Sequence, residues 1–234
     1  MTTLPEIQMA VRSLGDPKRA AGMQGFFKTG PGEYGEGDVF VGLTVTQTRS
    51  LIRRFHPADD AAISGLLRSP IHEERLLALL LLVERYRKGS DADRGRVYAL
   101  YVKHFKRINN WDLVDASAEH VVGPHGVGRA QLLRWARSPH LWTRRIAIVS
   151  TFHSIRRDRF GDTLAVAAAL LADEHDLLHK ATGWMLREVG KRDVAALENF
   201  LRRHHRKMPR TMLRYAIERF PEARRKAWLA GTAR

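Results

Sequence analysis

Two segments 69 positions apart read alike: SPIHEERLLALLLLV from Ser69 and SPHLWTRRIAIVST from Ser138. Each places a serine and a proline ahead of an arginine and an apolar run. Superposing Arg75 on Arg144 also superposes Ala78 on Ala147, so the spacing is two periods of about 35 residues. KATGW from Lys180 falls one further period on, with Gly183 36 residues past Ala147. In both copies the pattern predicts serine as N-cap and proline as the first helical residue. Helix pairs at this period predict an α-solenoid of the HEAT kind, in which each pair buries its apolar stripe only by stacking on the next. A helical bundle without repeats is the other architecture open to such a chain.

The remaining segments agree with helix pairs. Leu4 to Gly22 has helical spacing divided by Gly15, Asp16 and Pro17. FFKTGPGEYGEGDVFVG, from Phe26 to Gly42, holds too much glycine and proline for a helix. Thr44 or Thr46 then opens a helix that runs to Phe55 and is closed by His56 and Pro57. Beyond it the pairs are expected over 59–68 with 70–88, 92–106 with 110–122, and 128–137 with 139–157. Two more follow over 161–172 with 176–190 and 193–205 with 209–220. No segment alternates with period two, so the fold class is all-α. A single domain is expected over 1–234: N-terminal helices and the glycine-rich loop in 1–57, helix-pair repeats in 58–220, and a C-terminal tail in 221–234.

Charge narrows the partners. Lys plus Arg number 40 against 25 Asp plus Glu, a formal net charge of +15. That excess points to a polyanion, most simply nucleic acid. The chain has no cysteine, which removes disulfides, thiolate nucleophiles and cysteine-based zinc sites. The first residues, MTTLPEIQMAVRS, lack an apolar signal region. The longest apolar run, Leu76 to Val83, is far too short for a membrane span. We expect a soluble intracellular protein without a membrane partner.

INNWDLVD, from Ile108 to Asp115, carries the chemistry. Asn109 or Asn110 can cap a helix whose one side reads Trp111, Val114, Asp115, Ala118, Val121 and Val122. A carboxylate on an apolar face costs free energy unless something pairs with it. Trp111 and Asp115, four apart, project from the same side. Two readings are open: a receptor for a cation, or a tryptophan at a packing edge beside a structural ion pair. If the second helix of each pair lines a groove, Arg145 and Trp184 join these two on it. Arg145 is set in the stripe Leu141, Ile148, Val149, Phe152, and Trp184 stands beside the stripe Leu178, Ala181, Met185, Val189.

INNWDLVD, LWTRRIAI from Leu141 and KATGWMLREVGK from Lys180 together resemble the bacterial AlkD-type DNA alkylation repair glycosylases. FFKTGPGEYGEGDVFVG is similar to the N-terminal signature of that family. The resemblance runs from about Phe26 to Lys191. It implies a HEAT-like solenoid cradling duplex DNA in a concave basic face and excising N3- and N7-alkylated purines in base excision repair. It places the family's catalytic aspartate on Asp115, its paired aromatic residues on Trp111 and Trp184, and its arginine on Arg145. All four residue types are retained.

The expected chemistry follows from the residue types. A cationic alkylpurine leaves as a neutral base without prior protonation, so one carboxylate suffices. Arg144, Arg156, Arg157, Lys180, Arg187 and Lys191 are candidates for a sequence-independent grip on phosphates. Part of this basic set must be solvated helix face. Glu33, Glu36 and Asp38 argue against the glycine-rich loop as a phosphate cradle, and it is expected to be a structured connection. His175 and His179 stand i, i+4 but lack a third convergent ligand, so neither a metal nor another cofactor is implied. The expected protein is a monomer needing no protein partner and working on DNA in a bacterial cytoplasm. A non-catalytic module that binds damaged or branched DNA is the alternative.

Overall fold

The computed structural model describes residues 3–233 as helices joined by turns and, between Phe26 and Val45, by the glycine-rich loop. The first are α1 (Leu4–Ser13), α2 (Pro17–Phe26), α3 (Val45–Phe55), α4 (Asp60–Arg68), α5 (His72–Lys88) and α6 (Asp91–Lys103). A 3-10 turn at Phe105–Arg107 leads into α7 (Trp111–Asp115) and α8 (Ala118–His125). Then come α9 (Arg129–Ala136), α10 (Leu141–Val149), α11 (Phe152–Ile155), α12 (Gly161–Ala169) and α13 (Asp176–Arg192). The last are α14 (Val194–His204), α15 (Arg210–Ala216) and α16 (Glu222–Ala230), so the stretch expected as a tail carries a helix. No strand occurs among the described residues, and one isolated bridge pairs Val39 with Ile71. The fold is all-α, as the patterning predicts. Among the described residues, no helix is long and apolar enough to cross a membrane. The chain divides at Val121–Val122 into two compact units.

In the first unit α5 is the central helix, packed by α1, α3, α4, α6 and α7. Its run from Leu76 to Leu82 is buried all round, which is why the sequence shows no polar face there. The preceding charged residues are buried too: His72, Glu73, Glu74 and Arg75 are each at most 2% exposed. Each has a partner from another segment. Glu73 accepts the backbone N–H groups of Val41, Gly42 and Leu43, which fastens the end of the glycine-rich loop to α5. Gly42 stands at φ +90°, and a Cβ there would lie 2.2 Å from the Asp16 carbonyl oxygen, so only glycine fits. Glu74 accepts from Gln8 and Arg12 of α1.

In the second unit α13 plays the central part, packed by α10, α11, α12, α14 and α15. Leu178, Ala181, Met185 and Val189 are buried as predicted. Gly183 lets α15 approach closely, since a Cβ there would meet the Met212 carbonyl oxygen at 2.5 Å.

The repeat signature folds into a shared turn. Arg75 Nη1 donates to the carbonyls of Ser69 and Pro70 at 2.9 and 3.0 Å, and Arg144 Nη1 donates to those of Ser138 and Pro139 at the same distances. A third copy has His179 bonded to the carbonyl of Asp173. These clamps put Arg75, Arg144 and His179 in register, so the last interval is 35 and Thr182, rather than Gly183, aligns with Ala147. The serines do not cap as predicted, because α5 and α10 begin two residues later. Ser69 Oγ instead accepts from Ile71 N–H and Ser138 Oγ from His140 N–H, closing short turns ahead of each helix.

Two long helices expected from the sequence are broken. The 110–122 helix divides between α7 and α8, where Ser117 Oγ donates to the Leu113 carbonyl and also bonds Tyr101. The 139–157 helix divides after Val149, where Ser150 and Thr151 donate to the carbonyls of Ala147 and Ile148. Side chains that take up backbone carbonyls bend or end a helix in this way.

Candidate functional site

In the first unit the site is built around α7. Asn110 Oδ1 accepts the Trp111 N–H at 2.9 Å, so the cap falls on the second asparagine. Asn109 donates to Asp38 at 2.7 Å. Trp111 and Asp115 are both half-buried, on a helix whose Leu113 and Val114 are fully buried. One turn separates them, so they share a face. Asp115 also acts on its surroundings. Burial pushes the Tyr101 phenol up, its bond to Ser117 opposes this, and the negative charge of Asp115 adds to the rise.

Trp111 rests on a stack of rings. Phe27 lies parallel to it at 5.3 Å, and Phe40 lies parallel to Phe27 at 4.8 Å. Phe26 meets Trp111 edge-on at 6.0 Å and, at 64% exposure, forms the outer edge of the ring group. The glycine-rich loop is therefore a structured connection, and it buttresses the tryptophan. Beneath the rings lies a buried polar cluster. His72 Nδ1 is 2.9 Å from Asp38 Oδ2 and Nε2 is 2.8 Å from Asp112 Oδ2, while Arg75 Nη2 donates to Asp38 Oδ1. Burial alone would raise the Asp38 carboxyl, but His72, Arg75 and Asn109 hold it below the usual range. Burial likewise works against a charged His72, and Asp112 and Asp38 outweigh it, so its pKa is raised.

In the second unit, Arg145 lies on α10 at 5% exposure, with Nη1 donating to the Leu177 carbonyl at 2.7 Å. Trp184 on α13 is half-buried. Its Nε1 donates to Glu188 Oε1 at 3.2 Å, and Phe152 meets its ring edge-on at 5.7 Å. Glu188 also pairs with Lys191 at 2.7 Å and Arg187 at 3.5 Å. The geometry thus joins Trp111 with Asp115 in one unit, and groups Trp184 with Phe152 and Glu188 in the other.

The basic candidates differ in how they are held. Arg156 stacks over the Phe152 ring at 4.6 Å and is exposed. Arg157 donates to the His153 carbonyl and is exposed. Lys180 pairs with Asp176 at 2.7 Å, with both side chains well exposed. Arg144 and Arg187 are each 18% exposed in the side chain; the first pairs with Asp173, the second with Glu218 and Glu188. His175 and His179 use ring nitrogens within their own turn, His175 accepting from Leu177 N–H and His179 bonding Asp173.

Sequence reasoning passed over Phe27, Phe40, His72, Asp112 and Glu188. A usable signal was present in HEER, four ionisable residues set directly before a fully apolar run. No solvent face remains on such a helix for them to occupy.

The family model described as DNA alkylation repair enzyme matches residues 7–220. Among curated proteins nothing matches. In fold, the chain is similar to the structure of a predicted DNA alkylation repair enzyme from Enterococcus faecalis. The TM-score is 0.68 at 16% identity, over 89% of this chain and 97% of that one, which speaks for the helical-repeat fold alone. With the family's pattern running from α1 to the end of the fifth predicted helix pair, this chain belongs to the DNA alkylation repair enzyme family.

Proposed function

We propose that the chain is a monofunctional DNA glycosylase that hydrolyses the N-glycosidic bond of cationic N3- and N7-alkylated purines in duplex DNA. The observation that carries this reading is α7 itself. One short helix presents an aromatic face backed by two stacked rings, and a carboxylate one turn further on. That pairing suits a cation that turns into a second cation during the reaction.

An alkylated purine already carries positive charge. When its C1′–N bond breaks, the bonding electrons neutralise the base, which leaves without a general acid. Positive charge then develops on the sugar as an oxocarbenium ion. Asp115 stabilises that charge and takes the proton of the water that attacks C1′. Trp111 and Trp184 contact the cationic nucleotide, each contributing on the order of 0.5–2 kcal/mol. Arg145, anchored on the Leu177 carbonyl, is assigned to a backbone phosphate beside the lesion. The exposed Arg156, Arg157, Lys180 and Lys191 supply the sequence-independent grip. Arg144 and Arg187 are more deeply held by acidic partners, and we give them the smaller share of it.

The test is single-turnover incubation with a duplex bearing one N7-methylguanine, followed by alkaline cleavage of abasic sites, with Asp115→Asn alongside. The expected result is strand breaks from the wild type and a loss of at least about a hundredfold in rate for the variant, with duplex binding little changed. Equal loss of binding and rate would remove Asp115 from the chemistry. Salt-sensitive duplex binding without breaks from either protein would favour a non-catalytic module that binds damaged DNA.

A further inference from the structure

His72 takes no part in the chemistry above, yet it is 1% exposed and links three segments. Its two ring nitrogens face Asp38 of the glycine-rich loop at 2.9 Å and Asp112 of α7 at 2.8 Å. Carboxylate oxygens only accept. A neutral imidazole has one N–H and one lone pair, so it can serve one of these partners and must turn a lone pair on the other. The imidazolium donates to both.

The surroundings match that charge. From the loop come Asp38 and the rings of Phe27 and Phe40, the latter stacked on His72 at 4.3 Å. From α5 itself comes Arg75, which donates to Asp38. From the segment before α7 come Asn109 and Asn110, both reaching Asp38, and α7 supplies Asp112. Arg107 is the next cation, felt by Arg75. Two carboxylates thus face Arg75 and His72, a buried set that is neutral only when His72 is charged. The two carboxylates are not equally served. Asp38 has Arg75 and Asn109 besides His72, whereas Asp112 makes its bond through Oδ2 to His72 and Oδ1 makes none.

We propose that His72, as the imidazolium, is a positioning residue for Trp111: it ties α7 to the glycine-rich loop through Asp112 and Asp38, and opens that tie when it loses its proton. Asp112 directly follows Trp111 in a five-residue helix, so a change in its tether is a change in the placement of the ring. The same proton sits under Phe40 and Phe27, the rings on which Trp111 stacks. The direction of the His72 pKa, above the ordinary value, moves the opening of the tie to the alkaline side of an ordinary histidine's titration.

The experiment is an NMR titration of the full chain, following the His72 imidazole and the Trp111 indole N–H, assigned with His72→Phe and Trp111→Phe. The expected result is that both resonances move with one midpoint, above the ordinary histidine value. Phenylalanine keeps the ring stack and removes both donors, so in His72→Phe the Trp111 resonance should not move over that range. Asp112→Asn is the conservative control, because its amide can donate to a neutral imidazole or accept from a charged one. It should hold Trp111 fixed at both ends of the titration. A Trp111 resonance indifferent to the His72 midpoint, or a His72 midpoint below the ordinary value, would overturn the proposal. A second arm rests on the glycosylase reading. The single-turnover excision rate should fall about tenfold or more along the same midpoint, with affinity for undamaged duplex within about twofold. Coupled resonances without excision would overturn the glycosylase reading and uphold the tie.

Discussion

Trp111 and Trp184 are the same residue type on helices of the same fold, and they are held by opposite means. Trp111 leans on two parallel rings, and those rings cover a buried cluster of Asp38, His72, Arg75 and Asp112. Trp184 has one hydrogen bond, to a Glu188 that also serves Lys191 and Arg187, and one ring at its edge. In the first unit position is fixed by groups that cannot be removed singly without leaving a buried charge. In the second it is fixed by one hydrogen bond and one ring edge, beside an ion pair that reaches water through Lys191. Similar side chains therefore carry different sensitivities.

The largest expected difference is in the carboxylates beside the two clamp arginines. Asp38→Ala leaves His72 and Arg75 buried beside each other without the anion they share, with Asp112 alone to balance both, and should cost about 3–5 kcal/mol. Asp173→Ala removes the partner of an Arg144 that still reaches water and should cost roughly 1–2 kcal/mol. Urea unfolding followed by circular dichroism reads both, and equal losses would break the comparison. Next come the rings. Phe27→Ala opens the middle of a stack and should cost about 3 kcal/mol or more, while the half-buried Phe152→Ala should cost clearly less.

The units should also answer pH with opposite signs. His72 has a raised pKa in the folded chain, so its contribution is fully present below the ordinary histidine value and is lost as pH rises through the raised one. Burial lowers His175 and His204, so their contributions are present above the ordinary value and are lost as pH falls through the lowered ones. Hydrogen exchange of α5 and α7 amides against α13 and α14 amides across that range separates the two responses, and parallel responses would refute this. The smallest effect belongs to Glu188→Gln, which keeps an acceptor for Trp184 while Arg187 retains Glu218 and Lys191 still reaches water. It should change stability by about 1 kcal/mol or less and excision by less than about threefold.

The helix pairs were legible because each carries an apolar stripe at helical spacing, and Leu178, Ala181, Met185 and Val189 are buried as that spacing requires. The breaks after Asp115 and Val149 were not, since a serine inside an apolar stripe reads as tolerated until its hydroxyl takes a carbonyl from the helix. At the site, Trp111 and Asp115 stood out because a carboxylate on an apolar stripe demands an explanation. Their support did not, because Asp38 lies 71 positions from Asn109 and 34 from His72 in sequence. Contacts of that kind leave no local pattern. Asp38 was read only as a charge that would repel phosphate, whereas it is the centre on which four side chains converge.

The turns before α5 and α10 are each closed by an arginine of the very helix that they introduce. Such a joint is portable. A gene duplication or deletion cut at that turn would move the arginine together with the turn it closes, but not its carboxylate, which lies 37 positions away at Asp38 for Arg75 and 29 away at Asp173 for Arg144. Adding or removing a helix pair at the serine–proline step therefore keeps the joint and sets one condition, a new anion for each transplanted arginine.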